Sequence, residues 1–559
     1  MADDDLAERL TLLRRALERS REPLHVPLGI VFRPSGGEAH VAQWSEHASR
    51  AAKGETFAPA TLYVHVPFCA RVCTYCLLSA VRTPGKDAVA AYVAAVRAQI
   101  ALYEPAVRGL RFGSLHLGGG TPTLLDERQL DGLLSDLSRL SLADGAQIGV
   151  EAHPGTATPG KLAVLKRHGV HRVSFGVESL TPVVLRKVNR EDQNEARVRA
   201  GVAEARRLGM SVNVDLLAGL PGETSETWDA TVRKTLELEP DSMSVNRFLG
   251  ENSALEGFGF GPSDAENARV DAMLLRADAL IRELSAPRWP EEPLRAAGFG
   301  TQYVWDRSTS ARRYFQDDMI GPVSTLALGH GALGHLYGRH YSVTAGSIDD
   351  YVASLAQGRP PAMMTSALDL RFEKAFFASY QVCRGGLSGQ AYHRIFGEPV
   401  GAAFRRELRF LVDEGLLRAE GDRLSKAPGA GFQVTHLLGF LLSDVPRLKG
   451  ELASLGATAS SVVSGDVTIR GPRDVDALLG ADREGTVAID VRAGLDADDA
   501  THLADAVRAR KGLSLRVHDD GRRSLGQYER PGAELTPSML WVRIAIRAAQ
   551  AGRGEQRSA

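Results

Sequence analysis

The sequence predicts an α/β fold built on a partial (β/α)6 TIM-like barrel, with a C-terminal helical, winged-helix-like cap and a small additional α+β module. Three observations predict it. Six short apolar segments between residues 60 and 250 alternate with helical segments. Polar and glycine-rich motifs stand where these segments end, and such loops meet on one face of a parallel barrel. Beyond residue 250 the alternation loosens, which indicates a change of architecture.

The composition is that of an ordinary globular protein. The 559 residues are 44% hydrophobic and 24% charged, and 67 basic side chains stand against 68 acidic ones. This balance gives no bulk attraction to nucleic acid or to anionic lipid. The acidic N-terminus, Met1–Leu6, lacks the apolar core of a secretory signal, and no run of about 18 apolar residues predicts a spanning helix. Together with the low cysteine content, these features predict a cytoplasmic protein without nucleic-acid or membrane partners.

Changes of pattern divide the chain into five predicted parts. An N-terminal helix and linker precede the barrel, and substrate-side loops, a cap and a final module follow it. The predicted boundaries are 1–59, 60–250, 251–364, 365–448 and 449–559. In the first part, leucines at helical spacing predict a helix over residues 5–20. Residues 34–60 are rich in Gly, Ser, Pro and Ala and are predicted to be a linker.

The barrel is predicted from six strands and the helices between them. The strands are Leu62–Val66, Ser114–Leu117, Ile148–Ala152, Arg172–Val177, Val212–Leu217 and Ser242–Asn246. The helices are Asp87–Tyr103, Asp126–Leu140, Pro159–His168, Asn194–Leu208 and a segment that ends at Leu238. Parallel strands joined by right-handed helical crossovers form a barrel or part of one.

The remainder of the chain is predicted in less detail. A break at Pro287–Pro293 and a glycine-rich segment, Leu326–Tyr337, precede a helix at Ile348–Gly358. Several helices and two short strands over residues 365–430 are typical of a winged-helix-like cap. The final module is predicted from strands Val467–Ile469, Val487–Val491 and Ser514–Val517 and from helices Asp496–Arg510 and Pro537–Ala549.

Three of the four cysteines, Cys69, Cys73 and Cys76, stand in one segment with C-x3-C-x2-C spacing. Thiolates this close together suit iron or zinc better than a disulfide framework. Zinc would require a fourth ligand at finger spacing, whereas an iron–sulfur cube on three thiolates keeps one iron open for chemistry. Three buried core cysteines are the remaining alternative. The spacing therefore favours an iron–sulfur cluster and leaves the other two possibilities open.

The block Tyr63–Cys76, with an aromatic residue before the last cysteine, resembles the signature of radical S-adenosylmethionine (SAM) enzymes. It is most similar to the oxygen-independent coproporphyrinogen III oxidase branch, as are His116–Thr123, Val188–Glu191 and Asn213–Gly222. The resemblance extends over roughly residues 60–445. It implies a [4Fe–4S] cluster on the three cysteines and a one-electron donor such as flavodoxin or ferredoxin. It also implies reductive cleavage of SAM to a 5′-deoxyadenosyl radical.

The resemblance assigns further residues to the SAM at the cluster. Tyr63 would lie beside the adenine, with Glu151 and the glycines Gly118, Gly119 and Gly120 around the ligand. Glycines at a strand end also let the backbone approach a ligand, and a carboxylate can accept hydrogen bonds from ribose hydroxyls. The structural alternatives are a core aromatic residue, a solvated acid at a strand end and a plain tight turn.

A second SAM beside the first is also implied by the resemblance. The positions that match this second site are Tyr75, Thr121, Glu178, Arg190 and Asp215. Glu178 stands where the family usually has Gln, and an ionised carboxylate only accepts hydrogen bonds. Glu178 and Arg190 are the candidate catalytic residues. A surface salt bridge is the alternative for Arg190.

Two departures from the oxidases bear on the reaction. Cys76 is followed by Leu77 where those enzymes have a further cysteine, and no N-terminal substrate-gating segment is found. A two-SAM pocket without these features resembles the class C radical SAM methylases, some of which form cyclopropanes in natural-product pathways. The leading hypothesis is therefore transfer of a methyl or methylene group from the second SAM to an sp2 carbon of an unsaturated small molecule, with a partner methyltransferase as a possible contact of the final module.

Other interpretations remain. An oxidase catalysing oxidative decarboxylation is the enzymatic alternative, and a haem chaperone without turnover is the alternative of another class. His330 and His335 have H-x4-H spacing, which could indicate a metal site or a loop that lines the substrate cavity. Cys383 is expected to be a buried apolar residue.

Overall fold

The computed structural model of the chain describes residues 33–55, 59–76, 80–248, 264–289, 323–368, 370–383 and 386–427, and the backbone of seven further short strands. Strands β1–β9 are Arg33–Ser35, Ala60–Val66, Phe68–Cys69, Val81–Arg82, Phe112–Gly119, Leu142–Ala152, Arg172–Glu178, Ser211–Ala218 and Ser242–Arg247. Strands β10–β18 are Arg295–Ala296, Tyr303–Asp306, Ser324–Leu328, Gly334–Leu336, His340–Thr344, Met363–Ala367, Leu387–Ser388, Leu417–Glu420 and Arg423–Lys426. Strands β19–β23 are Val463–Ser464, Val467–Ile469, Arg483–Asp490, Leu513–Asp519 and Arg523–Tyr528.

Twelve helices lie within the same described residues. Helices α1–α6 are Gly37–Ala52, Lys86–Tyr103, Glu127–Leu137, Pro159–Arg167, Pro182–Lys187 and Glu195–Arg207. Helices α7–α12 are Ser225–Glu237, Asp264–Arg288, Ile348–Ala356, Leu370–Cys383, Gly389–Phe396 and Val400–Asp413. Among these helices, none is long and apolar enough to cross a membrane.

Seven parallel strands form the centre of the main sheet in the described part of the chain, in the order β12-β2-β5-β6-β7-β8-β9. Antiparallel strands extend it at both ends, β13-β14-β15-β1 beyond β12 and β11-β10 beyond β9. The mixed α/β fold with a parallel core is therefore confirmed, and each of the six predicted strands is present as β2 or one of β5–β9. Since the carboxyl ends of parallel strands share one edge, the loops that follow them meet on one face.

Burial and capping explain why these elements form. In β2 six of seven residues are buried, as expected for a parallel strand covered on both faces. The following helices begin at polar caps. Asp126 accepts a hydrogen bond from the Gln129 backbone while the Gln129 side chain accepts one from the Asp126 backbone, and Thr224 and Thr227 repeat the arrangement. These two caps fix where the loops after β5 and β8 end.

The prediction of a linker over residues 34–60 is wrong for Gly37–Ala52, which forms α1. This helix buries His40, Trp44 and His47 against the sheet. The three residues recur at spacings of three and four, which is helical. A search for regularly spaced aliphatic residues does not find this buried face, because its members are histidine, tryptophan and alanine.

A parallel strand that the sequence did not predict, β12, lies in the glycine-rich segment and pairs with β2. Its turn, residues 329–333, reaches the same edge as the cysteine loop. The Gly329 amide donates to Gln99 Oε1 (2.9 Å) and the His330 amide to the Tyr92 hydroxyl (2.9 Å), which itself donates to the His65 carbonyl. Buried side chains of α2 therefore hold this turn beside the end of β2.

Helices α10–α12 and strands β16–β18 form a helical unit with a three-stranded sheet and an apolar core of its own. His335 of β13 bonds the buried carboxylate of Glu373 on α10 (2.7 Å), which joins this unit to the sheet extension. Further on, the strand predictions of the final module lie at β20, β21 and β22. The predicted helices at residues 5–20, 496–510 and 537–549 lie outside the described residues. The domain boundaries themselves remain predictions.

Candidate active site

The three clustered cysteines lie at the carboxyl edge of the parallel sheet, in the loop that follows β2, and all three are half-buried. The Thr121 hydroxyl donates a hydrogen bond to Cys69 Sγ (3.3 Å). The Arg190 guanidinium donates to Cys73 Sγ (3.3 Å). Burial raises the pKa of the Cys69 thiol, and the Thr121 hydrogen bond opposes that rise. Thr121 lies in the loop after β5 and Arg190 in the segment after α5, and both donate from the barrel side of the cysteine loop.

The contacts of the cysteine sulfurs suit an iron–sulfur cluster. Hydrogen-bond donors aimed at sulfur, as found at Cys69 and Cys73, are the outer contacts that tune a thiolate-bound cluster. The residues present therefore fit an iron–sulfur cluster.

The segment after α5 fixes the conformation of the cysteine loop. Asn189, at φ 58°, donates from its side chain to the Val72 carbonyl (2.9 Å). The Thr74 amide donates to the Val188 carbonyl (3.3 Å), and Arg71 donates to Asn189 Oδ1 (3.2 Å). Asparagine tolerates the left-handed conformation better than most residues. The loop is therefore tied to the β7 side of the barrel by backbone contacts on both sides of Cys73.

The three glycines after β5 are required by close packing. A Cβ at Gly118 would lie 2.9 Å from the Glu151 carboxylate, and one at Gly119 would lie 2.7 Å from the His65 ring. At Gly120 it would lie 2.8 Å from a backbone oxygen of β3. Gly119 also has φ 110°, which side chains rarely adopt. The glycines therefore let three strand ends converge, and their contact with a ligand stays a prediction.

Glu151 is held in a defined orientation at the end of β6. Its carboxylate is bonded by His116 Nε2 (3.1 Å) and accepts from the Gly119 amide (3.1 Å). Burial alone would raise the pKa of Glu151, but the bonds from His116 and Gly119 lower it below the ordinary value. Beside it, Tyr63 stacks on His116 with ring centroids 6.1 Å apart, and its hydroxyl bonds His65 Nδ1 (3.0 Å). The carboxylate is therefore ionised, oriented and 41% exposed on the loop face.

Arg190 connects the cysteine loop to the end of β7, and its side chain is 8% exposed. Besides Cys73, it donates to the Tyr75 hydroxyl (3.2 Å), the Gly176 carbonyl and Gln193 Oε1 (3.1 Å). Burial would lower the pKa of Arg190, but Tyr75, Cys73 and Glu178 raise it above the ordinary value. The side chain is thus a permanent buried cation, and the alternative of a surface salt bridge is excluded.

Glu178 is the last residue of β7 and has φ 63°, a strained value for a non-glycine residue. Its Oε1 lies 3.7 Å from an Arg190 nitrogen, and its side chain is 14% exposed. Burial raises the pKa of Glu178 to about 7; Arg190 opposes the rise, and the charge of Asp215 adds to it. On β8, Asp215 accepts from Ser174 Oγ (2.6 Å) and from the Asn213 amide (2.8 Å). Burial also raises the pKa of Asp215, and these two hydrogen bonds oppose the rise.

The electrostatic balance of the loop face is acidic. The charges of Asp215 and Glu151 raise the pKa of Glu178, and that of Glu151 raises the pKa of Asp215; Arg190 opposes the first rise and Arg172 the second. Added to cluster thiolates, these carboxylates favour ligands with positive groups. SAM, with a sulfonium and an ammonium group, is such a ligand.

The structure brings together every site residue predicted from the sequence. They lie in β2 and β5–β8, in the loops that follow β2 and β5, or in the segment after α5: Tyr63, Cys69, Cys73, Tyr75, Cys76, Gly118, Gly119, Gly120, Thr121, Glu151, Glu178, Arg190 and Asp215. Their contacts with cofactors stay predictions. The residues assigned to the second SAM also contact the cluster loop, because Thr121 and Arg190 donate to cluster cysteines. The two groups are therefore not separate in the structure.

His330 and His335 do not converge. His330 Nε2 bonds the Gly346 carbonyl (2.9 Å), whereas His335 Nε2 bonds Glu373. Both rings are engaged in packing the sheet extension, and this arrangement gives no support to a metal site. The side chain of Cys383 lies outside the described residues.

Several supporting residues were missed from the sequence. His65 and His116 orient Tyr63 and Glu151, Asn213 fixes Asp215, and Gln193 Nε2 donates to the carbonyls of Val177 and Ser179 around Glu178. Two of them could have been predicted from their spacing in the sequence. His116 and Asn213 each stand two residues before a predicted site residue in the same strand, and that spacing places both side chains on one face.

Comparison with known proteins agrees with this geometry. Residues 63–235 match the family model of the radical SAM superfamily. The chain is 30% identical over 321 residues to the anaerobic coproporphyrinogen III oxidase 1 of Cereibacter sphaeroides, which covers 54% of this chain and 68% of that protein. It is 28% identical over 399 residues to the oxygen-independent enzyme of Bradyrhizobium diazoefficiens, covering 67% and 85%. For the Escherichia coli enzyme the match is 35% over 189 residues and spans 41% of its length.

The solved structure of Escherichia coli coproporphyrinogen III oxidase, a radical SAM enzyme, has the same fold. It aligns with a TM-score of 0.59 at 22% identity and covers 72% of this chain and 93% of that chain.

The first prediction concerns the cluster. Cys73→Ala removes one of three thiolates, so the reconstituted variant should lose most of its iron, its acid-labile sulfide and the visible absorption of the cluster. Thr123→Ser, a conservative change at a buried hydroxyl of the neighbouring loop, is the matched control and should retain them. A Cys73→Ala protein with full iron and sulfide content would contradict the assignment.

The second prediction concerns Glu178. Because the pKa of Glu178 is raised to about 7 in the folded protein, the folded state binds a proton more tightly than the unfolded state. The free energy of unfolding therefore falls as pH rises from about 4.5 to 7. The Glu178→Gln variant of the cofactor-free protein should be about 1–3 kcal/mol more stable than the wild type at pH 8, and the gain should shrink towards pH 5. Urea denaturation at both pH values measures it.

Burial also raises the pKa of Glu223 to about 7. Because both proteins contain Glu223, its contribution to the pH dependence of stability cancels in this comparison. A gain of equal size at pH 5 and pH 8 would show that ionisation of Glu178 does not oppose folding.

Proposed function

The chain belongs to the radical SAM superfamily, in the branch of the oxygen-independent coproporphyrinogen III oxidases, and we propose that it catalyses a radical oxidation of the kind its relatives are named for. The proposed substrate is a reduced tetrapyrrole with carboxylate side chains, such as coproporphyrinogen III, and the proposed reaction is oxidative decarboxylation. Its cofactors are a [4Fe–4S] cluster and SAM. The similarity to coproporphyrinogen III oxidases is the observation that carries the proposed reaction, and the hydrogen bonds from Thr121 and Arg190 to Cys69 and Cys73 support the cluster.

The residues of the loop face have distinct tasks in this proposal. Cys69, Cys73 and Cys76 would hold the cluster, which supplies the electron that splits SAM into methionine and a 5′-deoxyadenosyl radical. Glu151 is ionised and fixed by two hydrogen bonds, so it can accept from the ribose hydroxyls of SAM. The aromatic face of Tyr63, held by His65 and His116, offers the adenine a flat contact.

Confinement of the site matters because a primary carbon radical abstracts hydrogen from nearby C–H and S–H bonds. The tightly packed glycines after β5 close the floor of the site against the ends of β2 and β6. The turn at residues 329–333 closes the β12 side, where Tyr92 and Gln99 hold its amides. In this proposal these elements keep other hydrogen donors away, so that the radical reaches only the ligand and the substrate above it.

Methyl or methylene transfer to an sp2 carbon is the second candidate, and one observation favours it. Tyr75, Glu178, Arg190 and Asp215 form a polar group beside the cluster loop, and the resemblance assigns these four positions to a second SAM. In that reaction the second SAM is the methyl donor, and the product is methylated or carries a cyclopropane. A haem-carrying chaperone would use neither SAM cleavage nor methyl transfer.

The protein is expected to act in the cytoplasm, where its thiols stay reduced, with a small-molecule substrate and a low-potential electron donor such as flavodoxin or ferredoxin.

One anaerobic experiment separates the three activities. The reconstituted, reduced protein is incubated with coproporphyrinogen III and SAM that carries a labelled methyl group. Oxidation predicts 5′-deoxyadenosine together with a decarboxylated tetrapyrrole, and all label remains in methionine. Chromatography with mass detection identifies each product, and Cys73→Ala is the control that should form none of them.

Label in a carbon product together with S-adenosylhomocysteine would overturn the oxidase proposal and support methyl transfer, for which unsaturated small molecules serve as acceptors in a parallel incubation. Stable haem binding with no cleavage of SAM would overturn both enzymatic proposals.

A further inference from the structure

We propose that Arg172, the first residue of β7, is a positioning residue for SAM, because a one-directional chain of buried hydrogen bonds leads from it to Asp215 and fixes the orientation of that carboxylate. The inference rests on the proposed function in one respect, namely that the ligand at Asp215 is SAM. The ammonium group and the ribose hydroxyls of SAM donate hydrogen bonds, and an oriented carboxylate accepts them.

Three neighbouring parallel strands place polar side chains on one face of the sheet. The register sets Ser174 of β7 opposite Asn213 of β8, and Asn213 opposite Ser242 of β9. Side chains two residues apart in a strand lie on the same face, so Arg172 shares this face with Ser174. For the same reason Asp215 shares it with Asn213. The chain of side chains therefore runs from the amino end of the sheet, at Arg172, towards the loop face.

The direction of the hydrogen bonds follows from Arg172, which can only donate. Arg172 donates to Ser242 Oγ (2.9 Å), and the Ser242 hydroxyl donates to Asn213 Oδ1 (2.7 Å). Because its oxygen is engaged in this way, Asn213 turns Nδ2 to Ser174 Oγ (2.7 Å) and to Asp215 Oδ1 (2.8 Å). The Ser174 hydroxyl then donates to Asp215 Oδ2 (2.6 Å). Every donor in the chain thus points towards the carboxylate.

Burial makes this direction matter. Asn213 and Ser242 are fully buried, and Arg172 is 5% exposed. In a buried network aligned hydrogen bonds reinforce one another, and a group left without its partner is costly. Without Arg172, the Ser242 hydroxyl and the Asn213 amide could turn and present oxygen atoms towards Asp215. The guanidinium keeps its protons, so the chain orients the carboxylate and does not relay protons.

The charge of Arg172 acts in the same sense as the hydrogen bonds. Burial raises the pKa of Asp215, and the hydrogen bond from Ser174 opposes the rise. The charge of Glu151 adds to the rise, whereas the charge of Arg172 opposes it. Asp215 is half-buried, and each of its two oxygens has lone pairs beyond the one that a protein donor uses. These lone pairs are what a ligand on the loop face can bind.

The test measures SAM binding without cleavage. The reconstituted protein, with its cluster oxidised and no reductant present, is dialysed anaerobically to equilibrium against radiolabelled SAM. Arg172→Met removes the charge and the donors and should weaken binding at the site that Asp215→Asn also weakens, by about tenfold. Arg172→Lys keeps a charged donor and should restore most of the affinity. Ser242→Ala breaks the chain while the charge of Arg172 stays, and it should weaken binding about threefold.

A double variant separates positioning from a merely structural role. If Arg172 acts through Asp215, Arg172→Met should not weaken SAM binding further in the Asp215→Asn protein. Ser285→Ala is the matched control for Ser242→Ala, since Ser285 is a fully buried serine of α8, and it should bind SAM as the wild type does. Urea denaturation shows which variants are folded. If Arg172→Met is not, Ser242→Ala decides.

A Ser242→Ala or a folded Arg172→Met protein with wild-type affinity for SAM would overturn the proposal. So would an Arg172→Met effect of equal size with and without Asp215. Neither reductant nor tetrapyrrole enters the measurement, so a failure of the proposed oxidation is seen separately, as a wild type that cleaves SAM and forms no decarboxylated tetrapyrrole. A wild type that binds no SAM would contradict both proposals.

Discussion

The buried guanidinium of Arg190 is the interaction on which the rest of the site depends. It donates to the Cys73 thiol, the Tyr75 hydroxyl, the Gly176 carbonyl and Gln193, and so joins the cysteine loop to the end of β7. A buried cation is stable only where its donors are satisfied, which forces these groups to converge on it. The neighbouring segment 188–191 adds backbone bonds to the same loop. The position of the cluster ligands is therefore set by contacts across the barrel and not by the loop alone.

Strain at Glu178 is a consequence of this convergence. A non-glycine residue at φ 63° costs about 1–3 kcal/mol and persists where surrounding bonds fix the backbone. Here Arg190 binds the Gly176 carbonyl, and Gln193 binds the carbonyls on both sides of Glu178. The carboxyl group is thereby held among Arg190, Tyr75 and Asp215, where its pKa rises towards neutrality. A group of this kind can change its charge when a cationic ligand binds, which the amide usual in the family cannot do.

The parallel core could be predicted from the sequence because buried parallel strands are short apolar runs, each followed by a capped helix. The strand-end residues followed from that alternation, the cysteine spacing favoured an iron–sulfur cluster, and the resemblance to radical SAM enzymes supplied the cofactors. Helix α1 was missed because its buried stripe consists of His40, Trp44 and His47. Strand β12 was missed because glycines surround it and its partner β2 is more than 250 residues away. The bonds of Gln193 to the carbonyls around Glu178 depend on the backbone geometry at the end of β7, which periodicity does not contain.

The central claim is that three thiolates at the carboxyl edge hold a cluster with one iron open to SAM, inside a pocket of fixed carboxylates. The electron paramagnetic resonance spectrum of the reduced, reconstituted protein, recorded with and without SAM, tests it most directly. An open iron that binds the amino and carboxylate groups of SAM predicts a clear change in the signal when SAM is added. A signal from a reduced cluster that SAM leaves unchanged would contradict the account.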